Sequence, residues 1–159
     1  MKSMALGSAV AISENRLLTN YHLIDERPYV FLKQGDRYER ASIVSGHLRT
    51  DRCILSVKGV ALKPVTGFKR FSGLLVGETV FSVGSPKGLE NTLGQGIISG
   101  KREIDDTGIM LIQSTAQISK GSSGGGLFDQ FGNLLGMTTF RILNSEGLNF
   151  AIAIDNFAQ

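Results

Sequence analysis

Between Lys120 and Phe128 the chain reads KGSSGGGLF, two adjacent serines among four glycines at the head of an apolar run. Glycine reaches backbone conformations that other residues enter only at a cost. Successive N–H groups of Gly121-Ser122-Ser123-Gly124-Gly125-Gly126 can therefore turn toward one point. Such a turn can form an oxyanion hole. A serine hydroxyl on it would stand about 3 Å from the carbon whose oxygen those groups receive, which is the geometry of acyl transfer. The hydroxyl is a weak nucleophile and needs a neutral imidazole as base, with a third group to orient that imidazole. The chain has two histidines. His22 ends the segment RLLTNYH, just before the polar turn Asp25-Glu26-Arg27-Pro28, and so can stand at the rim of a core; His47, in SGHLR, reads as an exposed strand end. Asp51, in TDRCILSV, is an isolated carboxylate ahead of an apolar strand that can hold it against the His22 Nδ1–H.

Each feature has a plainer reading. A Gly/Ser cluster by itself is a flexible loop, a lone histidine is a satisfied core or surface residue, and an aspartate before a strand is a local cap. The elements that would have to bring them together are short. Apolar or alternating segments rich in Val, Ile, Thr and Phe recur at Ala9–Ile12, Arg16–Tyr21, Tyr29–Lys33, Arg37–Ser45, Cys53–Val57, Glu78–Val83, Thr92–Ser99, Ile109–Ser114, Asn133–Phe140 and Leu148–Ile154. Turn residues separate them, as at Ser13-Glu14-Asn15, Gln34-Gly35-Asp36 and Gln130-Phe131-Gly132-Asn133. The pattern predicts an all-β protein, with a helical period conceivable only from Ile154 onward. The least regular stretch, Lys58 to Leu75, divides the strands into two sets. It predicts a first β-barrel over 1–60, a linker over 61–75 and a second barrel over 76–159, all within one domain.

Composition bounds the function. The 159 residues carry 17 basic and 14 acidic side chains, a net charge of +3, and the basic residues are scattered rather than gathered into a stripe. Nucleic-acid binding is disfavoured on that ground. The single cysteine, Cys53, allows no internal disulfide, so the core must hold the fold. The opening MKSMALGSAVAIS superficially resembles a signal peptide, but its apolar run is short and broken by Gly7 and Ser8, and Gly7 to Ile12 reads better as a strand. No stretch approaches the length of a membrane span.

At these residues the sequence resembles the trypsin-like (chymotrypsin-fold) serine peptidases, most closely the HtrA/Deg branch. His, then Asp, then Ser is the chain order of the chymotrypsin class. GSAVAISENRLLTNYHLI is similar to that branch's glycine-serine strand followed by T-N-x-H-V/L, and DRCILSV to its D-L-A-V-L-x-V. VGETVFSVGSPKGLENTLGQGIISG, IQSTAQISKGSSGGGLFDQFGNLLGMTT and LNFAIAI resemble further motifs of the branch, in order, so that nearly the whole chain is covered. The resemblance implies two six-stranded antiparallel β-barrels with an active site in the cleft between them. It implies His22 as general base, Asp51 as its orienting carboxylate and Ser123 as nucleophile, with Ser122 only a neighbour. The oxyanion hole would come from the N–H groups of Gly121 and Ser123. Gln117 and Ile118 would line the base of a substrate pocket, Thr139, Phe140 and Arg141 one wall, and Asn149 to Ala151 the other. No carboxylate lies at that base, which predicts a small or medium aliphatic P1 residue rather than Arg or Lys. The partners would be protein or peptide substrates, and the chemistry needs no metal and no cofactor. An extracytoplasmic, periplasmic setting follows from the resemblance alone.

Two departures bear on the turn. Lys120 and Gly126 stand where the branch has proline, which predicts a looser turn. A conditional protease, whose turn a partner or substrate must order, is therefore one alternative; a catalytically silent peptidase-like binding module is another. No PDZ sequence follows Gln159, so the chain is expected to be either a stand-alone peptidase or part of a longer protein.

Overall fold

A computed structural model describes residues 7–24, 27–85, 92–104, 106–118, 120–139 and 149–157. Alternation of buried and accessible side chains sets the strands. In β5 (Arg52–Val57), Cys53, Leu55 and Val57 are buried while Arg52, Ile54 and Ser56 are only half-buried, the period of two that a strand presents to a one-sided core. With β1 (Val10–Ala11), β2 (Arg16–Asn20), β3 (Tyr29–Gln34) and β4 (Arg37–His47) it forms an antiparallel sheet in the order β1-β2-β5-β4-β3. The β3–β4 hairpin turns on Gly35-Asp36, with Gly35 at φ 62°, a positive value that glycine accepts freely at the first position of a two-residue loop. Leu17, Ile24, Ala41, Cys53, Leu55 and Val57 form the core of this lobe.

The second lobe is a closed barrel. Its strands are β6 (Thr79–Gly84), β7 (Thr92–Ile104), β8 (Ile109–Ser114), β9 (Gly126–Asp129), β10 (Leu134–Thr139) and β11 (Asn149–Ala153), in the ring order β10-β11-β8-β7-β6-β9. A register shift between Ile98 and Gly100 on β7 marks a bulge, which bends a long strand enough to serve a closed ring. The core includes Val80, Ile98, Ile112, Leu127 and Leu135.

The two lobes repeat one topology. Strands β1 to β5 pair with one another as β7 to β11 do, and the first lobe has no counterpart of β6 among the described residues. The all-β, two-lobe expectation therefore holds, with one refinement: the second lobe is a complete six-stranded barrel and the first is a five-stranded curled sheet. A cavity of about 410 Å³ opens at the unclosed side, lined by Val10, Leu17 and Leu32 of the first lobe and by Val83 and Phe128 of the second.

Between the sheets the chain is irregular apart from a 3-10 turn at Phe71–Gly73. It follows the first lobe, with the Leu62 N–H donating to the Glu14 carbonyl at 2.9 Å and the Val65 N–H to the Ala11 carbonyl at 3.0 Å, and then reaches the second, where the Lys69 N–H donates to the Leu134 carbonyl at 3.1 Å. Three elements differ from the sequence reading. Strand β9 was not anticipated, because its first residue belongs to the glycine cluster. The β2 strand stops at Asn20 and passes into a single helical turn, α1 (Tyr21–Ile24). The periodicity after Ile154 is one 3-10 turn, Ile154–Phe157, not a helix.

The β9–β10 turn is organised by one carboxylate. Asp129 is buried, and its Oδ1 accepts the N–H groups of Phe131 and Asn133, both at 2.9 Å, while Oδ2 accepts the Asn133 amide, also at 2.9 Å. Burial by itself would raise this carboxyl; the Asn133 and Phe131 hydrogen bonds and the Lys69 charge outweigh it and hold the pKa below the usual 3.8. A lowered folded pKa gives stability that is present above the unfolded value and lost as pH falls through the folded one. Asp129→Ala is expected to cost about 1–3 kcal/mol at pH 7 in chemical denaturation, and the gap between variant and parent should narrow below pH 4, roughly the unfolded value.

Candidate active site

His22 sits on α1, the helical turn that continues β2, and Asp51 on the turn that leads from β4 into β5. Sheet pairing brings the two together, since β2 lies beside β5 with Asn20 opposite Arg52. The Asp51 carboxylate then holds His22 at two points. Oδ1 accepts the His22 backbone N–H at 2.8 Å and Oδ2 lies 2.7 Å from Nδ1. With Nδ1–H donating to the carboxylate, the neutral ring presents Nε2 as an acceptor, the tautomer a general base requires.

Both oxygens can face His22 because the Asp51 backbone is turned into the left-handed region, at φ 53°. That conformation is uncommon for a residue with a side chain, although aspartate tolerates it better than most. Three contacts hold it. The Asp51 carbonyl accepts the Tyr21 N–H at 2.9 Å and the Asn20 side-chain amide at 3.3 Å, and the Asp51 N–H donates to the Leu48 carbonyl at 3.2 Å. Asn20 is fully buried. The sequence reading quoted it only as part of a motif and missed this contact with Asp51. His47, set aside as an exposed strand end, is indeed exposed: it closes β4 opposite Arg52, and its Nδ1 meets the Thr50 N–H and hydroxyl of its own turn.

Ser123 lies on the opposite lobe, directly after a 3-10 turn at Lys120–Ser122, and is 1% exposed. Its carbonyl accepts the Ser8 N–H at 2.8 Å, and the Ser8 carbonyl accepts the Thr19 hydroxyl at 2.7 Å. Thr19 is on β2, which runs into the histidine turn, so two hydrogen bonds join the serine turn to the strand that leads to His22. Gly124 has φ +91°, and a Cβ there would collide with the Ser8 carbonyl and the Thr19 hydroxyl. Both the backbone conformation and the close approach of the lobes demand glycine at that position. Gly126, expected to loosen the turn, is instead a strand residue paired with Val83 on one side and Met137 on the other.

The expected pocket residues are spread along the second lobe. Gln117 is exposed and its carbonyl accepts the Ser82 hydroxyl at 2.9 Å; Ile118 is buried. Thr139, buried at the end of β10, pairs with Phe150, and Asn149 opens β11 opposite Ser114. Ala151 packs in the barrel core with Ala116. Phe140 and Arg141 lie outside the described residues. Among the described residues no group of three or more His, Cys, Asp and Glu is placed to hold a metal ion.

Residues 7–137 match the family described as the trypsin-like peptidase domain. The chain belongs to that family. Among its relatives is a probable periplasmic serine endoprotease DegP-like of Pseudomonas savastanoi, 35% identical over 97% of this chain and 33% of the relative. The serine endoprotease DegS of Haemophilus influenzae is 36% identical over 94% of this chain and 47% of the relative. Among solved structures, the HtrA-type protease AlgW with decapeptide superposes with a TM-score of 0.84 at 33% identity, over 95% of this chain and 49% of that one. The trypsin-like chain thus spans about a third to a half of the length of these relatives.

A buried thiol also stands near the site. Cys53 is two residues from Asp51 and fully buried, and burial pushes its thiol up to about 11. At neutral pH it stays protonated and inert. Alkylation by iodoacetamide at pH 7.5 is expected to leave the native protein unmodified and to modify the urea-unfolded chain fully, read by intact mass; rapid labelling of the native form would contradict the packing around β5.

Proposed function

We propose that the chain is the catalytic domain of a serine endopeptidase acting on protein or peptide substrates, with Ser123 as nucleophile, His22 as general base and later acid, and Asp51 as the group that orients His22. The two-point grip of Asp51 on His22 carries this reading, because it fixes both the ring's position and its tautomer with one buried carboxylate. Ser123 would attack the scissile carbonyl while Nε2 of His22 takes its proton and then hands it to the amine nitrogen as the C–N bond breaks, releasing the amine and leaving the acyl-enzyme. The acyl-enzyme would then be hydrolysed by a water activated at the same ring, and the tetrahedral oxyanion held by the N–H groups of Gly121 and Ser123. The preferred P1 residue in this reading is small or medium and aliphatic, accommodated against Ile118. The relatives' periplasmic setting supports an extracytoplasmic place of action.

A second reading has one observation in its favour. In a 3-10 turn each N–H points back to the carbonyl three residues earlier. The turn over Lys120–Ser122 would, by that geometry, direct the Ser123 N–H at the Lys120 carbonyl rather than outward. An oxyanion site in that state is closed, and the enzyme would become active when a peptide or partner turns the Lys120–Gly121 peptide over.

Reaction with a fluorophosphonate probe tests both. Labelling that disappears in Ser123→Ala supports the nucleophile, and equal labelling of the variant would sink it. Asp51→Asn is expected to keep the fold and lower kcat by about 10⁴-fold, since the amide favours the wrong tautomer. Slow labelling that accelerates on addition of unfolded protein favours the conditional state; immediate, unaided labelling favours a constitutive one.

A further inference from the structure

Ser8 uses every polar group it has, and three of the four contacts cross to the second lobe. Its N–H donates to the Ser123 carbonyl at 2.8 Å, and its carbonyl accepts from Thr19 on its own lobe. Its hydroxyl donates to the Gly121 carbonyl at 3.0 Å and accepts the Ser85 N–H at 2.8 Å. A hydroxyl has one proton to give. With the Ser85 N–H occupying an oxygen lone pair, that proton is aimed at Gly121.

We propose that Ser8 is a positioning residue for the nucleophile turn: its hydroxyl fixes the Gly121–Ser122 peptide as the pivot about which the neighbouring Lys120–Gly121 peptide turns to open or close the oxyanion site. This rests on the serine-peptidase reading above. A single peptide unit turns over when ψ of the residue before it and φ of the residue after it change together, which leaves the flanking units in place. The residue after it is Gly121, which lies in the 3-10 turn, where φ is characteristically negative, and which, as glycine, can enter the positive range without a Cβ penalty. The rotation returns to a defined endpoint only if the next peptide stays still. Ser123 is held through its own carbonyl by the Ser8 main chain, and Gly125 by its N–H to the Ser122 carbonyl at 3.0 Å. The Ser122 carbonyl is held from within the second lobe by the Thr138 hydroxyl at 3.0 Å, whereas the side chain that holds the Gly121 carbonyl, Ser8, comes from the other lobe.

The hydroxyl therefore matters in the step in which charge develops on the substrate oxygen, and little in peptide binding. Ser8→Ala is expected to lower the second-order rate of fluorophosphonate labelling and kcat for a peptide substrate by about 10- to 100-fold, less than the roughly 10²–10³-fold cost of deleting an oxyanion donor outright. KM should change by less than about threefold, because substrate contacts are retained. Ser8→Thr, which keeps the hydroxyl, should recover most of the rate. Ser8→Cys, which keeps the volume with a weaker donor, should fall between and carries the test if the alanine variant does not fold. Wild-type rates in Ser8→Ala, or equal losses in the Ala and Thr variants, would overturn the proposal. If Ser123→Ala still labels, the serine-peptidase reading has failed instead. The pivot is then read by amide hydrogen exchange: faster exchange at Ser122–Gly125 in Ser8→Ala supports it, and unchanged exchange refutes it.

Discussion

The site exists only where two sheets meet, and the contact that sets their meeting is the short segment at Ser8. One lobe supplies the histidine and the carboxylate, the other the serine turn. The Ser8 main chain bonds Ser123 on one side and Thr19 on the other, at 2.8 Å and 2.7 Å. This close approach has a steric condition, met at Gly124, where any side chain would strike the Ser8 carbonyl. Lobe separation, turn shape and the place of Ser123 are thus one constraint expressed at three residues. Farther out, the Arg52 guanidinium reaches the Asn156 carbonyl at 3.2 Å, and Arg49 reaches the Asp106 carbonyl at 2.9 Å. These bonds brace the turn carrying Asp51 against the second barrel.

Within the first lobe, the proposed chemistry depends on a backbone conformation that aspartate adopts at some cost. The left-handed φ of Asp51 would be unfavourable in an unconstrained chain, yet it lets one carboxylate bind both the main chain and the ring of His22. The surrounding hydrogen bonds from Tyr21 and Asn20 offset that cost. What results is an imidazole whose orientation is set in advance, so that little reorganisation would remain for it to act as the proposed base. The serine turn differs, since a 3-10 turn closed on itself can be stable and still be the wrong shape for an oxyanion.

Much of this was legible in the sequence because it follows from local pattern. Period-two burial in β5, the two-residue glycine turn after β3 and the irregular crossing near Pro64 are all properties of neighbouring residues. Strand β9 was hidden because Gly126 looks like turn material. It is a strand residue because Val83 and Met137 offer ladder partners on both sides, and no local propensity contains that information. Asn20 and Ser8 were visible only as motif letters. Their roles depend on atoms 31 and 113 positions away in the chain.

The sequence by itself determined the class of protein, the strand periods, and the three residue types whose order suits acyl transfer, because hydrophobic alternation and side-chain chemistry are carried residue by residue. Only the tertiary structure decided that Asp51 turns both oxygens to His22, that the described residues of the first sheet form five strands, and that the serine turn is a 3-10 turn bonded to Ser8 of the other lobe. Each of these is set by hydrogen bonds between distant segments, whose geometry exists only once both sheets have formed.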